Sequence, residues 1–331
     1  MKVLITGGAG YIGSTVATAC LEAGIETVLI DDLSTGLRAF GEGRSLYVGD
    51  IADEAFVDAV LAEHPDVDAV IHCAARIVVP ESVAEPLGYY DANVGKSVRL
   101  FQRLRAAGID RIVFSSSASV YAGDAGEGVA EDGILAPASP YATTKAMVEQ
   151  ILRDAAAAGD VRAIALRYFN PIGADPRLRT GLQNPRPSHA LGKIMQARAE
   201  GVPFTITGTD WPTRDGSGLR DYIHVWDLAL AHVAAVQRFD EISPTTSPYR
   251  VINIGTGDGV TVRELVAAFE RVTGEALDVV DAPRRPGDQA GAFAIVDRAH
   301  EQLGWRAERS IDDGVRDALA WSQRLPALIG A

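Results

Sequence analysis

Tyr141-Ala142-Thr143-Thr144-Lys145 opens a helical segment. One turn of helix sets Tyr141 and Lys145 on the same face. A phenol titrates near pH ~10 in isolation, and a cation held one turn away favours the phenolate, giving a general base usable near neutrality. Upstream, Ser117 closes the run Ser115-Ser116-Ser117, where a hydroxyl could hold the oxygen whose proton the tyrosine takes. A lone Tyr-x-x-x-Lys is more often a half-exposed aromatic beside a surface lysine. The serine cluster before it and a glycine fingerprint earlier in the chain favour catalysis.

That fingerprint is Thr6-Gly7-Gly8-Ala9-Gly10-Tyr11-Ile12-Gly13. It follows a β-branched run and opens a helix. Gly7 permits a tight turn, Gly10 lets backbone approach a pyrophosphate at the helix N-terminus, and Gly13 lets the helix pack closely on the sheet. A second strand ends in Asp31, followed by Asp32, and the nearest basic residue is Arg38. A carboxylate there accepts the ribose hydroxyls of NAD and repels the 2′-phosphate of NADP. Gly49-Asp50-Ile51 follows a third strand and is placed to meet adenine, or Asp50 simply caps the next helix.

Both sets of residues need a parallel sheet whose carboxyl edge gathers them, and the chain alternates strand and helix accordingly. Strands are expected at Lys2–Thr6, Thr27–Asp31, Ser45–Val48, Ala69–His72, Arg111–Ser115 and Arg162–Arg167, with helices at Tyr11–Ala23, Asp53–Glu63, Leu87–Ala107 and Tyr141–Ala158. The expected fold is α/β, a doubly wound parallel sheet of Rossmann type over residues 1–172. Gly173–Ser188 is rich in Pro, Gly and Arg and reads as irregular chain. Residues 173–331 then form a smaller α/β substrate lobe. Strands at Tyr222–Val225 and Arg250–Ile254, and helices from Trp226, at Val262–Arg271 and at Ile311–Gln323, complete it, with segments near 220–255 returning to the main sheet.

A net charge of −13 on 331 residues argues against nucleic acid as a partner, and an anionic substrate needs a local basic site. Cys20 and Cys73 lie in apolar segments and read as small buried thiols, with no metal site. No window approaches a membrane span or a signal segment, so a cytoplasmic enzyme is expected.

TGGAGYIG, Asp31, SSSASVY, YATTK and Tyr168-Phe169-Asn170-Pro171 resemble the extended short-chain dehydrogenases. GSGLRDYIHVWDLA (Gly216–Ala229) and APRRPGD (Ala282–Asp288) look like the UDP-glucose 4-epimerase family within them, and the match runs nearly end to end. The resemblance implies an enzyme that keeps NAD bound, oxidises C4 of a UDP-hexose, lets the 4-keto sugar turn over and returns the hydride to its other face. Tyr141 would be the base, Ser117 would bind the same oxygen, and Lys145 would hold the nicotinamide ribose. Gly7, Gly10, Tyr11, Ile12, Gly13, Asp31, Asp50, Ile51, Ala74, Lys145 and Tyr168 would line the cofactor. Asn170, His189, Arg220, Arg285, Asp288 and Ala292, with Ser117 and Tyr141, would contact the UDP-sugar. The long helices Leu87–Ala107 and Tyr141–Ala158 correspond to the pair that builds a homodimer in that family.

Three positions depart from it. Ser188-His189 replaces an Asn-Asn pair, and His189 could donate to phosphate or cap a helix. Ile77 stands where some members place a basic residue near the nicotinamide ribose, with Arg76 beside it. Ala292 replaces a tyrosine beside the sugar's C2 substituent, which opens room for an acetamido group. A dehydratase or decarboxylase on the same scaffold is the first alternative, but Ser117 is followed by Ala118-Ser119-Val120, which cannot transfer protons to expel a hydroxyl. A non-catalytic NAD-binding regulator is the second, and retention of both Tyr141 and Lys145 argues against it.

Overall fold

The computed structural model describes residues 1–122, 128–184, 187, 189–284 and 289–329. Seven parallel strands form the central sheet, in the spatial order Tyr249–Ile254, Arg162–Tyr168, Arg111–Ser115, Ala69–His72, Lys2–Thr6, Glu26–Asp31, Ser45–Val48. The first three strands in sequence add in one direction and the next adds on the other side of Lys2–Thr6. The switch point therefore falls between Thr6 and its register partner His72, where ligands of open α/β sheets bind.

Both faces are covered, which is why the strands read as continuous apolar runs. Val3, Ile5, Ile71, Val113 and Ile164 pack with helices Tyr11–Glu22 and Val225–Gln237. Leu4, Val28, Val70, Ile112 and Ala163 pack with Glu54–Glu63, Lys96–Ala106 and Pro140–Ala157. A separate core joins Leu191, Ile194, Phe204, Ile206, Leu265, Phe269 and Val315 in the second half of the chain. Of the segments expected to return, Tyr249–Ile254 does join the central sheet beside Arg162–Tyr168. Tyr222–His224 instead pairs with Asn170–Ile172 in a small sheet of its own.

The expected continuous helix Leu87–Ala107 is interrupted. It is built as Pro86–Tyr90, a π turn at Asp91–Gly95 and Lys96–Ala106, and a further helix, Val79–Ala84, precedes it. The reason is Asn93, whose side chain turns inward to bond the Arg76 backbone rather than solvent. An extra residue in the turn is the usual device for aiming such a side chain. Among the described residues no helix is long and apolar enough to cross a membrane, and no group of three or more His, Cys, Asp or Glu could hold a metal ion.

Candidate functional site

The glycine turn is built by close approach. Gly7 has φ +68°, and a Cβ there would stand 2.8 Å from the Ala74 nitrogen. A Cβ on Gly13 would stand 2.1 Å from the Gly7 carbonyl oxygen. Gly13 thus serves the packing of the helix against the turn itself, rather than against the sheet as its spacing suggested. Gly10 differs: a Cβ there would meet only the Gly7 oxygen at 3.3 Å and the Gln183 side-chain nitrogen at 4.0 Å. Asp31, buried at its strand end, accepts from Ala9 N at 2.9 Å and Leu33 N at 2.8 Å. Burial raises its pKa, and those two amides oppose the rise. Open space over Gly10, amides at a helix N-terminus and a carboxylate on the neighbouring strand fit a dinucleotide, with Asp31 on a ribose.

Asp50 sits past the third strand, bonded to Ala52 N at 2.9 Å and to the Lys96 ammonium at 2.5 Å. The helix cap is Asp53, which accepts from Phe56 N. Ile51 is buried among Val57, Val60 and Phe101, so it offers a ligand only its backbone. Tyr11 donates to the Gly173 carbonyl at 2.7 Å, and Ile12 packs, half-buried, against the core of the central sheet.

At the carboxyl edge of Arg111–Ser115 the catalytic candidates come together. Ser139 caps the helix that carries Tyr141 and Lys145, accepting from Ala142 N at 3.2 Å, and Pro140 takes the first helical turn, both favoured there. Tyr141 and Lys145 are buried, at 7% and 2% exposure. The Lys145 ammonium donates to the Ser115 carbonyl at 2.8 Å, and burial lowers its pKa to about 8. Burial also pushes the Tyr141 phenol up to about 12, and the Ser117 hydroxyl pulls it back. In this geometry desolvation dominates the phenol, and one N–H of Lys145 goes to Ser115 rather than to the phenol. Ser117 also accepts from Ser119 N and Ser119 Oγ. Tyr168, buried at the end of the next strand, has its phenol raised well above the usual range by burial.

Several supporting residues carried no recognised motif. Asn93 accepts from Arg76 N at 2.8 Å and donates to Arg76 O at 2.9 Å and Thr144 Oγ1 at 3.0 Å, which ties the loop after Ala69–His72 to the catalytic helix. His72 bridges Thr6 Oγ1 at 2.7 Å and Ser97 Oγ at 2.8 Å. Because Ser97 donates to Asn93 O, His72 must donate from Nε2 and accept at Nδ1, and burial lowers its pKa to about 3, keeping it neutral. Glu149 lies one turn beyond Lys145. Its carboxylate accepts from Ser116 Oγ at 2.5 Å and from both Nε and Nη2 of the buried Arg167. The repeat of polar residues at Tyr141, Lys145 and Glu149 was the available signal for it.

The residues expected to contact the UDP-sugar lie farther along the chain. Asn170 N donates to the Asp221 carbonyl at 2.9 Å. Arg220 donates to the Leu219 and Ala290 carbonyls. Buried Asp221 accepts from Thr256 N, Gly257 N and Ala294 N, fixing the segment that carries Ala292. His189 caps helix Ala190–Glu200, its Nδ1 accepting from Gly192 N at 3.2 Å, and burial lowers its pKa to about 4. It also lines a cavity of about 800 Å³ with Tyr11, Gly173 and Trp321. Arg76, beside Ile77, lies 4.7 Å over the Tyr89 ring and pairs with Glu81 and Glu85. Arg285 and Asp288 lie outside the described residues.

The family model described as the NAD dependent epimerase/dehydratase family matches residues 3–255. The UDP-glucose 4-epimerase of Azospirillum brasilense is 46% identical over 332 residues, covering 99% of this chain and 94% of the relative. The solved UDP-glucose-4-epimerase of Stenotrophomonas maltophila, with bound NAD and formylated UDP-arabinopyranose, superposes with a TM-score of 0.93 at 38% identity and covers 99% of each chain. That of Bifidobacterium longum, in complex with NAD+ and UDP, superposes with a TM-score of 0.89 at 35% identity, covering 98% of this chain and 99% of its own.

Proposed function

The chain belongs to the NAD dependent epimerase/dehydratase family, alongside its UDP-glucose 4-epimerases, and from that premise we propose that it inverts C4 of UDP-hexoses, interconverting UDP-galactose and UDP-glucose through a 4-keto sugar. The observation that carries this reading is the meeting of a buried Tyr141 phenol with the Ser117 hydroxyl beside Lys145, at the sheet edge that also holds the glycine turn and Asp31.

NAD bound over Gly7, Gly10 and Gly13 would accept the C4 hydride and give it back. Tyr141 takes the C4 hydroxyl proton and later returns it, and Ser117 binds the same oxygen throughout. Lys145, already buried and aimed at the carboxyl edge, holds the cofactor ribose. Asp31 favours NAD over NADP, because a 2′-phosphate would face its carboxylate and that of Asp32. Residues 1–172, with returning segments near 220–255 that share the core of the central sheet, serve as the NAD-binding domain, and the rest of 173–331 serves as the UDP-sugar lobe, with a core of its own around Leu191, Phe204 and Phe269. Asn170, Arg220, Arg285 and Asp288 are assigned to the nucleotide diphosphate and His189 to its edge through Nε2. Arg suits that role by its bidentate grip on phosphate oxygens.

Ala292 replaces a bulky wall with a methyl group, so UDP-GlcNAc and UDP-GalNAc are included among the substrates. A homodimer in the cytoplasm is the working form. Leu87 (82% exposed), Val83 (63%) and Met147 (40%) leave an apolar surface on helices Val79–Ala84, Pro86–Tyr90 and Pro140–Ala157, the kind of patch that a second copy covers. The test of the function is product analysis with UDP-galactose and no added NAD. UDP-glucose without net NADH is the expected result, and an oxidised or dehydrated sugar would refute the reading.

A further inference from the structure

We infer that Gln183 is a further cofactor-binding residue, presented to the dinucleotide by a strap from the second half of the chain. The inference rests on the NAD-dependent reading above. The strap is the irregular segment that follows Ile172. It runs back along the helix Tyr11–Glu22, held by Tyr11 OH donating to Gly173 O at 2.7 Å, by Thr15 Oγ1 against Thr180 Oγ1 at 3.0 Å, and by ion pairs from Arg177 and Arg179 to Glu22. Farther along it stands Gln183, whose side-chain nitrogen donates to the Thr35 carbonyl at 3.1 Å.

Two features aim this amide at the cofactor. Among the described residues, Gln183 has the side chain nearest the open position at Gly10, 4.0 Å from where a Cβ would stand, and Gly10 is the glycine facing the pyrophosphate path. Nε2 carries a second N–H besides the one given to Thr35. A dinucleotide supplies its complement, since phosphate oxygens accept. The amide therefore meets the cofactor beside Gly10, and the strap serves to place it there.

The experiment measures NAD, not turnover. Wild type, Gln183→Ala, Gln183→Glu and Thr180→Val are purified and assayed for bound NAD. Release is then timed by chase with excess fluorescent etheno-NAD, and thermal melts confirm folding. Gln183→Ala should release NAD about tenfold faster, as for one lost hydrogen bond to a charged or buried partner. Gln183→Glu should be faster still, since it sets a carboxylate against phosphate. Thr180→Val cuts the strap's bond to Thr15 without touching the amide and should stay within about twofold of wild type. Unchanged release in both Gln183 variants, or equal acceleration by Thr180→Val, would overturn the inference alone. A wild-type protein that neither carries nor takes up NAD would overturn the NAD-dependent reading, and this inference with it.

Discussion

The Lys145 ammonium stands 6.0 Å from the centre of the Tyr141 ring. At that separation, and donating to the Ser115 carbonyl, it does not bring the buried phenol toward neutrality, and the phenol rises to about 12. The base is made by position, beside Ser117 and at the sheet edge. Tyr141→Phe keeps the ring in its buried slot and removes only the proton acceptor. Turnover should fall by about 10²–10⁴, the usual span for a positioned acid–base group, with little change in KM. Steady-state assays showing near-normal turnover would remove Tyr141 from the mechanism.

Lys145 gives a stability signature in the cofactor-free protein. Its pKa falls from 10.5 to about 8 through burial. Between those values the unfolded chain binds the proton and the folded chain does not, so stability from this group rises with pH. The penalty is fully present below about pH 8. From pH 8 to 9.5 wild type should gain about 2 kcal/mol relative to Lys145→Met. Urea denaturation of both proteins at the two pH values reads this directly, and a constant gap between them would contradict it.

How much of this was legible in the sequence follows from which residues act locally. Gly7, Gly13, Asp31, Tyr141 and Lys145 work through spacing within one turn or one strand–helix junction, and the structure brings them to one edge. Residues whose partners are distant in sequence left no pattern. His72 reaches Ser97, Asn93 reaches Thr144, Arg167 reaches Tyr121, and Asp221 reaches Ala294. The π turn at Asp91–Gly95 was hidden because helical periodicity continues through it with a single added residue. The i,i+4 spacing places Tyr141 and Lys145 on one face but does not say which third group the longer side chain bonds, here the Ser115 carbonyl.

Glu149 and Arg167 form a pair with side-chain exposures of 2% and 1%. Removing one partner strands a buried charge. Glu149→Ala should cost roughly 3–5 kcal/mol by chemical denaturation. Turnover should fall as well, because Ser116, which Glu149 holds at 2.5 Å, lies between Ser115 and Ser117. A loss below about 1 kcal/mol, the scale of a surface ion pair, would show that the pair is solvated.

Ala292 tests the sugar pocket. The wild-type protein should epimerise both acetylated and non-acetylated UDP-sugars. Ala292→Tyr should lower the ratio of acetylated to non-acetylated activity by about tenfold or more, through steric filling of the space at C2. The neighbouring Gly291 is not a site for the same experiment, because a Cβ there would stand 1.7 Å from the Leu219 carbonyl oxygen. Parallel assays on the two substrate pairs decide the matter: an unchanged ratio would show that another side chain closes the pocket.

The central claim is that the hydrogen leaving C4 returns to the same carbon. UDP-galactose carrying deuterium at C4 is incubated with the purified enzyme without added NAD, and the product is read by mass spectrometry and NMR. UDP-glucose with the deuterium retained at C4 and none lost to water is the predicted result. Product carrying protium at C4, or an oxidised sugar accumulating with reduced cofactor, would contradict it.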